Sequence, residues 1–389
     1  MNKTKFSLLK QILSQDTAPF REDRVIALIT DLFDTGKVPY FIDPVGNVVV
    51  GVNSKQAYLK LIQKKSREPV RVFIAHMDHP GFHGMRWLSN NQLKIKWHGG
   101  SPVKHLNGAK VWLVSGDGKK INGTLSKTKI AKHGYSMDTA IVRVAANAFG
   151  TSRPSARSLY GAFDFKAPIW TSGKRIYTRV ADDLTGVFCI ASLALDLFSG
   201  KNRARQTPFI GLLTRAEEVG FVGAIGHFEL AWLKKASRKI VCVSLEASRT
   251  LPGAKIGKGP VVRLGDRRTV FDTNGSQVLS TLAQQLLPGR HQRRIMDGGS
   301  CEGTAATVYD LPTIALSVPL GNYHNEGFEG GQDCKHPGGP APEFVHLDDI
   351  EGELKLCHAL MKNKLPWSTP WVAVKQRLIK NYHNYKRLL

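Results

Sequence analysis

Residues 83–176 differ from the rest of the chain in their pattern of apolar residues, and this difference limits the possible folds most strongly. Segments 87–97, 109–114, 121–130 and 139–145 alternate apolar with polar residues or are rich in β-formers, with Gly, Asn and Asp turns between them. No convincing helical repeat occurs in this stretch. We therefore predict an all-β insert.

On both sides of the insert, segments typical of strands alternate with segments typical of helices. This alternation predicts an α/β fold, with a mostly parallel or mixed sheet sandwiched by helices. The predicted organisation is one main domain in two parts, 1–82 and 177–389, interrupted by the small all-β domain 83–176. The predicted strands cover 70–76, 208–214, 239–246 and 312–319, and the predicted helices cover 19–33, 183–198, 221–234, 276–287 and 347–362.

Composition excludes several classes of protein. The 389 residues are 42% hydrophobic and 22% charged, which is ordinary for a globular chain. No run of about 18 apolar residues occurs, so we expect no membrane span, and the broken apolar start is unlike a signal peptide, which favours the cytosol. The five cysteines are scattered without a CxxC pair, which argues against a disulfide framework and a thiolate zinc site.

The chain is strongly basic, with 55 Lys and Arg residues against 31 Asp and Glu residues. Most of the excess lies in two segments. His83 to Ile176 has sixteen Lys and Arg residues against three Asp, and Leu354 to Leu389 has eight and no acid. Such a balance suggests an anionic partner, for example acidic peptides, a membrane surface or nucleic acid. Because no recognised nucleic-acid-binding motif is present, we do not expect nucleic acid as the main partner.

Candidate ligand residues lie where predicted strands end or a helix begins, which is where open α/β sheets place their sites. The first strand ends in His76-Met77-Asp78, and a ligating histidine commonly donates its second N–H to a nearby carboxylate. Asp182 and Asp183 precede a predicted helix. One of them is expected to be its N-cap, which leaves the other free for a ligand.

Later strand ends add more acids and a second histidine. Glu217 and Glu218 follow strand 208–214, where adjacent buried carboxylates raise each other's pKa and a divalent cation would compensate them. Glu246 and His324 follow the next two strands. Nitrogen and oxygen ligands without thiolates suit Zn, Co or Mn, and one carboxylate bridging two ions would make a co-catalytic pair.

The order of these motifs resembles the zinc exopeptidase superfamily, and most closely the glutamyl aminopeptidase family that includes the tetrahedral aminopeptidases. The order is HMD, then DD before a helix, then EEVG, then an acid after a strand, then YH. The insert also stands where that family places its small β domain. Smaller motifs that agree are Gly81-Phe82, Gly99-Gly100, Leu106-Asn107-Gly108, Gly223-Ala224, Gly259-Pro260, Gly298-Gly299 and Pro319.

The resemblance implies a zinc exopeptidase-like fold that holds two divalent metal ions, with zinc as the first expectation and Co or Mn as alternatives. By this resemblance Asp182 would bridge the two ions. His76 and Glu246 would complete the ligands of one ion, and Glu218 and His324 those of the other.

The resemblance also implies roles for residues that hold no metal. Glu217 would be the general base, and Asp78 would orient His76. Glu302 follows the double glycine as the family's acid does, in a different local context, and it is a candidate substrate contact. In related enzymes the peptide after the bridging aspartate is cis, so a cis bond between Asp182 and Asp183 is expected.

Two segments depart from the family's pattern. His79-Pro80 stands where the family usually has Glu-Ile after its HMD motif, and this neighbourhood lines the site. The Gly/Pro-rich segment 325–342 is much longer than the family's short link. We expect it to form a loop close to the metals that is mobile unless something packs on it.

The resemblance implies a metallo-aminopeptidase that removes N-terminal residues from peptides and forms a homo-oligomer through its β insert. Its basic segments suggest acidic peptides among the substrates. Two alternatives stay open. The superfamily also contains carboxypeptidases and N-acyl amino acid deacylases, although these typically insert their small domain later in the chain. A nucleic-acid or anionic-surface binding protein is the alternative from a different class.

Overall fold

The computed structural model describes residues 1–115, 118–150, 153–199 and 208–389. The α-helices of these residues are α1 (Lys3–Leu13), α2 (Asp23–Gly36), α3 (Lys55–Gln63), α4 (Leu184–Phe198), α5 (Val222–Glu229), α6 (Thr273–Leu286), α7 (Glu302–Val308), α8 (Leu347–Leu360) and α9 (Val372–Tyr385). The strands are β1 (Tyr40–Ile42), β2 (Val48–Val50), β3 (Val70–His76), β4 (Gly81–Ser89), β5 (Gln92–His98), β6 (Lys110–Val114), β7 (Lys120–Ile130), β8 (Met137–Val144), β9 (Tyr160–Phe163), β10 (Ile169–Ser172), β11 (Arg175–Thr178), β12 (Phe209–Thr214), β13 (Ile240–Ser244), β14 (Ala247–Arg249), β15 (Val261–Asp266), β16 (Gln292–Met296), β17 (Thr313–Leu320) and β18 (Glu343–His346).

A nine-stranded mixed sheet forms the centre of the fold. Its strand order is β1-β2-β12-β3-β13-β17-β15-β16, and β14 pairs with β17 at one end of that strand. The four central strands β12, β3, β13 and β17 run parallel to one another, whereas β2 and β15 run antiparallel to their neighbours in this group. The predicted mixed sheet is confirmed.

Helices cover both faces of the sheet because its central strands are buried on both sides. Along β3, Phe73 and Ala75 pack into a core with α1, α2, α4, α6 and α8. Val72 and Ile74 point the other way, into a core with α3, α5 and α7. This alternation follows from the two-residue period of a strand, and it fixes the register that brings the strand ends together.

Strands β4 to β9 close into a small antiparallel barrel in the order β4-β5-β8-β7-β6-β9. Leu93, Ile95 and Trp97 of β5 are buried inside it, and the lysines between them are partly exposed. No α-helix occurs among the described residues between Gly81 and Phe163. The predicted all-β insert is confirmed.

A third, three-stranded sheet joins the end of the insert to a later part of the chain. β10 pairs with β11, and β11 pairs antiparallel with β18, so that Thr178 lies opposite Glu343. This pairing places Glu343 beside the segment that leads to Asp182. The division of the chain into domains 1–82, 83–176 and 177–389 stays a prediction.

Each of the five predicted helices corresponds to a helix of the structure, whereas α1, α3, α7 and α9 were not predicted. α1 and α3 each begin with a side-chain cap, from Asn2 and Ser54 respectively. The helix predicted for 221–234 ends at Glu229. In the described part of the chain, every helix is too short or too polar to span a bilayer.

Candidate metal centre

The ends of the parallel strands bring the predicted ligands to one edge of the sheet. Thr214, the last residue of β12, lies opposite His76, the last residue of β3. Ser244 of β13 lies opposite Ile74 of β3. The acids that directly follow β12 and β13 therefore stand beside His76. Asp182 reaches the same place from the start of α4, and His324 from the turn after β17.

Two overlapping groups of potential metal ligands share Asp182, and a third group, formed by His76, Glu217 and Glu218, overlaps both. Nε2 of His76 lies 3.5 Å from Oδ1 of Asp182, and Nε2 of His324 lies 3.8 Å from Oδ2 of the same carboxylate. Nε2 of His324 also lies 3.2 Å from Oε2 of Glu218. The first group is His76, Asp182 and Glu246, the second is Asp182, Glu218 and His324, and in each group the ligand atoms lie within 4.8 Å of one another.

The chemistry of these groups fits divalent ions. Oδ1 of Asp182, Oε1 of Glu218 and Oε1 of Glu246 are buried and have no hydrogen-bond partner among the described residues. Unpartnered buried carboxylate oxygens are costly, and an ion would satisfy them. Two imidazole nitrogens with carboxylate oxygens and no thiolate form a donor set that zinc accepts. A divalent cation is therefore the partner that this donor set fits.

The pKa values of the clustered side chains also favour a bound cation. Burial raises the pKa of Glu246 well above its ordinary value, and the nearby carboxylate of Asp182 raises it further. Burial would lower the pKa of His76, but the surrounding acids, chiefly Glu217, raise it well above the ordinary value. Negative charge is thus in excess at the centre, which is what a dication would neutralise.

Asp78 supports the centre chiefly through the backbone of the two glutamates. Its carboxylate accepts hydrogen bonds from the N–H groups of Glu217 and Glu218, at 2.9 and 3.2 Å. Nδ1 of His76 lies 3.1 Å from the carbonyl oxygen of Asp78 and 3.6 Å from its carboxylate. Asp78 therefore contacts His76 through its carbonyl group and fixes the Glu217–Glu218 turn through its side chain.

Glu217 lies at the centre, beside open space. Its Oε2 lies 3.9 Å from Nε2 of His76, and it lines a cavity of about 500 Å³ together with Glu218 and Tyr323. Burial raises the pKa of Glu217 well above its ordinary value, and Glu218 and Glu246 raise it further. A carboxylate with a raised pKa beside a cavity is suited to accept and return a proton.

Glu302 lies close to the centre without belonging to either ligand group. It is the first residue of α7 and is buried, and burial raises its pKa to about 7. The charge of His76 lowers this pKa and that of Asp78 raises it, so the protonation of Glu302 responds to the charges of the centre. Its contact with substrate stays a prediction.

Two expectations for the segment at Asp182 and Asp183 are confirmed. The peptide bond between Asp182 and Asp183 is cis. Asp183 is the N-cap of α4, because its carboxylate accepts a hydrogen bond from the N–H of Gly186 at 3.1 Å. Capping uses Asp183 and leaves Asp182 free for the centre.

Three buried residues outside the predicted ligand and catalytic set hold the backbone of the site, and of these only the neighbourhood of His79 was expected to line it. Glu343 accepts hydrogen bonds from the N–H groups of Ala181, Asp182 and His324 at 2.7, 3.2 and 2.9 Å. Nδ1 of His79 lies 2.8 Å from the carbonyl oxygen of Asp182, and Nε2 lies 3.1 Å from Oδ1 of Asn325. The segments that carry Asp182 and His324 are therefore tied together. The signal available in the sequence was Glu343 itself, an acid within an apolar strand.

The barrel contributes backbone to the site. A Cβ atom at Gly100 would lie 1.9 Å from Nδ1 of His324, so only glycine fits there. A second cavity, of about 370 Å³, lies between Glu218 and the barrel residues around His98 and Gly99. The insert therefore forms one wall of the space around the centre.

Comparison with models of protein families assigns the chain to one family. Residues 59–328 match the model of the M42 glutamyl aminopeptidase family. The chain belongs to the M42 glutamyl aminopeptidase family. Membership of this family supports a metal-dependent peptide hydrolase, as the sequence motifs predicted. No curated protein sequence matches the chain significantly.

Solved structures show that the fold of this M42 family member is similar to that of TET aminopeptidases. TET1 peptidase of Pyrococcus horikoshii is 21% identical, with a TM-score of 0.68 over 92% of this chain and 99% of that chain. Aminopeptidase APDkam598 of Desulfurococcus kamchatkensis is 19% identical, with a TM-score of 0.69 over 94% and 96%. TET aminopeptidase of Thaumarchaeota archaeon SCGC AB-539-E09 is 18% identical, with a TM-score of 0.70 over 93% and 98%.

Proposed function

We propose that this chain is a dinuclear metallo-aminopeptidase, which hydrolyses the N-terminal residue from peptides. The observation that carries the proposal is the pair of ligand groups that share the carboxylate of Asp182. His76 and Glu246 would hold one ion with it, and Glu218 and His324 would hold the other. Zinc is the proposed ion, and Co and Mn are the alternatives.

Two such ions, when bound, would acidify a water molecule and polarise the scissile carbonyl group. The remaining chemistry belongs to residues of the chain. Glu217 would take the proton from the attacking water and give it to the amine that leaves. Asp78 would hold Glu217 in place, because its carboxylate accepts the Glu217 N–H at 2.9 Å. Glu302 is proposed to contact the substrate.

The test of this mechanism is the substitution Glu217→Gln. Because Glu217 is assigned to proton transfer rather than to ligand binding, the variant should keep close to the metal content of the wild type. Its turnover of aminoacyl-anilides should fall by at least about 10²-fold, the lower range for general acid–base catalysis. Metal analysis and kinetics on the same preparations measure both quantities.

A matched control is Glu229→Gln, which changes an exposed glutamate of α5 outside the centre. It should leave both metal content and turnover unchanged. Unchanged turnover in the Glu217→Gln variant would remove Glu217 from the mechanism. Assaying the wild type with Zn, Co and Mn on free and N-acetylated substrates separates an aminopeptidase from a deacylase or a carboxypeptidase.

The proposal also covers the molecules that this chain binds. The substrates are peptides, and the chain forms a homo-oligomer in which the barrel makes subunit contacts. TET1 peptidase of Pyrococcus horikoshii is described as assembling into a tetrahedron or a large octahedral shell, which supports an assembly here. The cytosol is the proposed location.

A further inference from the structure

Two adjacent arginines lie on the wall of the cavity that the proposed general base also lines. Arg267 and Arg268 line the same space of about 500 Å³ as Glu217. Both side chains are exposed. Five other arginines form ion pairs in the part of the chain that the structure describes, whereas neither Arg267 nor Arg268 pairs with a carboxylate there. The cavity therefore presents two positive groups that are free to bind a ligand.

The turn that carries these arginines is held rigidly. The buried carboxylate of Asp266 accepts hydrogen bonds from the N–H groups of Arg268 and Thr269, at 2.8 and 3.0 Å, and from the N–H of Cys301 at 3.1 Å. The N–H of Arg267 donates to the carbonyl oxygen of Gly299 at 2.9 Å. The turn is thus fixed to the segment after the double glycine, which also lines the cavity.

The carboxylate of Asp266 is used to hold this turn and does not bind the two guanidinium groups. Burial alone would raise its pKa, but hydrogen bonds from Thr304 and from the backbone lower it below its ordinary value. Its carboxylate is therefore charged and committed to the turn rather than to the two guanidinium groups. A fixed backbone reduces the entropy lost when long side chains bind a ligand.

We propose that Arg267 and Arg268 form a carboxylate-binding subsite of the substrate cleft. Guanidinium groups bind carboxylates through paired, charge-assisted hydrogen bonds, which lysine cannot reproduce. The carboxylate comes from one of two sources: the C-terminus of a short peptide or an acidic side chain. The inference rests on the proposed peptidase function. It adds a substrate class to that function, namely peptides with a carboxylate that can reach Arg267 and Arg268.

The test uses two matched pairs of peptides with the metal-loaded enzyme. Ala-Ala-Ala with a free C-terminus is compared with its C-terminal amide, and Ala-Glu-Ala-amide is compared with Ala-Gln-Ala-amide. The wild type should cleave at least one carboxylate peptide with a higher kcat/KM than its neutral partner. The double variant Arg267→Ala/Arg268→Ala should reduce that kcat/KM about tenfold or more, the loss expected for a hydrogen bond to a charged group. Kinetics on the neutral peptides should stay unchanged.

Controls separate a subsite from a general effect of charge. Arg293→Ala removes an exposed arginine of β16 that does not line this cavity, and it should change none of the four rates. Arg267→Lys/Arg268→Lys keeps the charge and should recover only part of the loss. Calorimetry on the Glu217→Gln background should show the same preference in binding, without turnover.

The outcomes are distinct. A loss confined to the C-terminal pair identifies the terminal carboxylate, and a loss confined to the Glu/Gln pair identifies an acidic side chain. An equal loss of kcat/KM on the neutral peptides would overturn the subsite and assign the arginines to the charge balance of the metal centre. An unchanged kcat/KM on all four peptides would also overturn the subsite. If the wild type cleaves neutral and carboxylate peptides with equal kcat/KM, the proposed peptidase function is supported and the subsite is contradicted. If it cleaves no peptide, the proposed function itself fails.

Discussion

At the scale of single residues, Glu353 shows the cost of burying an acid without a full set of partners. It lies on α8 and is completely buried. The Cys189 thiol donates to its Oε2 at 3.6 Å, whereas its Oε1 has no partner among the described residues. Burial raises the pKa of Glu353 from its ordinary 4.5 to about 8.

This pKa predicts a loss of stability as pH rises. The folded protein keeps the Glu353 proton that the unfolded chain releases, so the contribution to stability is fully present below pH 4.5 and is lost by about pH 8. The pKa difference corresponds to at most about 5 kcal/mol in the free energy of unfolding. Glu353→Gln should therefore match the wild type near pH 4.5 and be more stable above pH 8.

Urea unfolding at acid and alkaline pH measures this difference. Asp31→Asn, which changes an exposed carboxylate of α2, is the control and should show no such dependence on pH. A Glu353→Gln variant that is equally or less stable than the wild type at pH 9 would contradict the prediction.

The role of a residue could be predicted from the sequence when it depends only on where a strand ends. It could not be predicted when it depends on contacts between distant parts of the chain. His76 and Glu246 end predicted strands, so the topology of a parallel sheet alone brings them to one edge. Glu343 and Asn325 bind groups that are distant in sequence: Glu343 accepts from the N–H of Asp182, and the side-chain amide of Asn325 donates to the carbonyl oxygen of Arg179 at 3.1 Å. The position of Glu343 depends on the pairing of β11 with β18, which no local pattern encodes.

At the scale of elements, apolar patterns located the central strands and most helices, because their burial on one or two faces gives a clear period. α3 was missed because it is short and its nine residues include two lysines and two glutamines. Closure of the barrel could not be predicted either. It needs β4 to pair with β9, and these strands are separated by most of the insert.

The loop 325–342, expected to be mobile unless something packs on it, does pack on its surroundings. The N–H groups of Glu329 and Gly330 donate to the side chain of Asn322 at 3.0 and 3.1 Å. Asp333 accepts a hydrogen bond from the N–H of Lys166 at 2.7 Å. The ring of His336 stacks on that of His105 of the insert, with centroids 4.5 Å apart. The loop therefore connects the main sheet to the insert.

Shortening this loop should lower stability and spare the chemistry. The N–H of Gly327 donates to the carbonyl oxygen of Gly339 at 2.8 Å, so a two-residue turn can replace 328–338. We expect the melting temperature to fall by about 5 °C, because losing about 2 kcal/mol of contacts costs roughly 2–4 °C per kcal/mol. Calorimetry and anilide kinetics measure the two effects.

The single substitution Asp333→Asn is the control and should give a smaller fall in melting temperature. An unchanged melting temperature would show that the loop contacts contribute nothing. Intact stability with a changed preference for peptide length would instead identify the loop as a gate to the site.

At the scale of the whole molecule, basic charge is concentrated where contacts between subunits are expected. The insert 83–176 has sixteen Lys and Arg residues against three Asp. The helix α9 has no buried residue in the single chain, and it exposes Leu378, Ile379 and Tyr382 together with several basic side chains. Apolar contact and charge repulsion therefore compete in any assembly of identical chains.

This competition predicts that assembly should strengthen with salt. Each chain has a net charge of +24, and like charges repel over a screening length of about 30 Å at 10 mM ionic strength but only about 8 Å at 150 mM. We expect light scattering to show a larger average mass at the higher ionic strength. Truncation after Ser368 removes five Lys and Arg residues and should reduce this dependence on salt. Assembly that weakens with salt would indicate an interface held by ion pairs, and a single-chain mass under all conditions would exclude the oligomer.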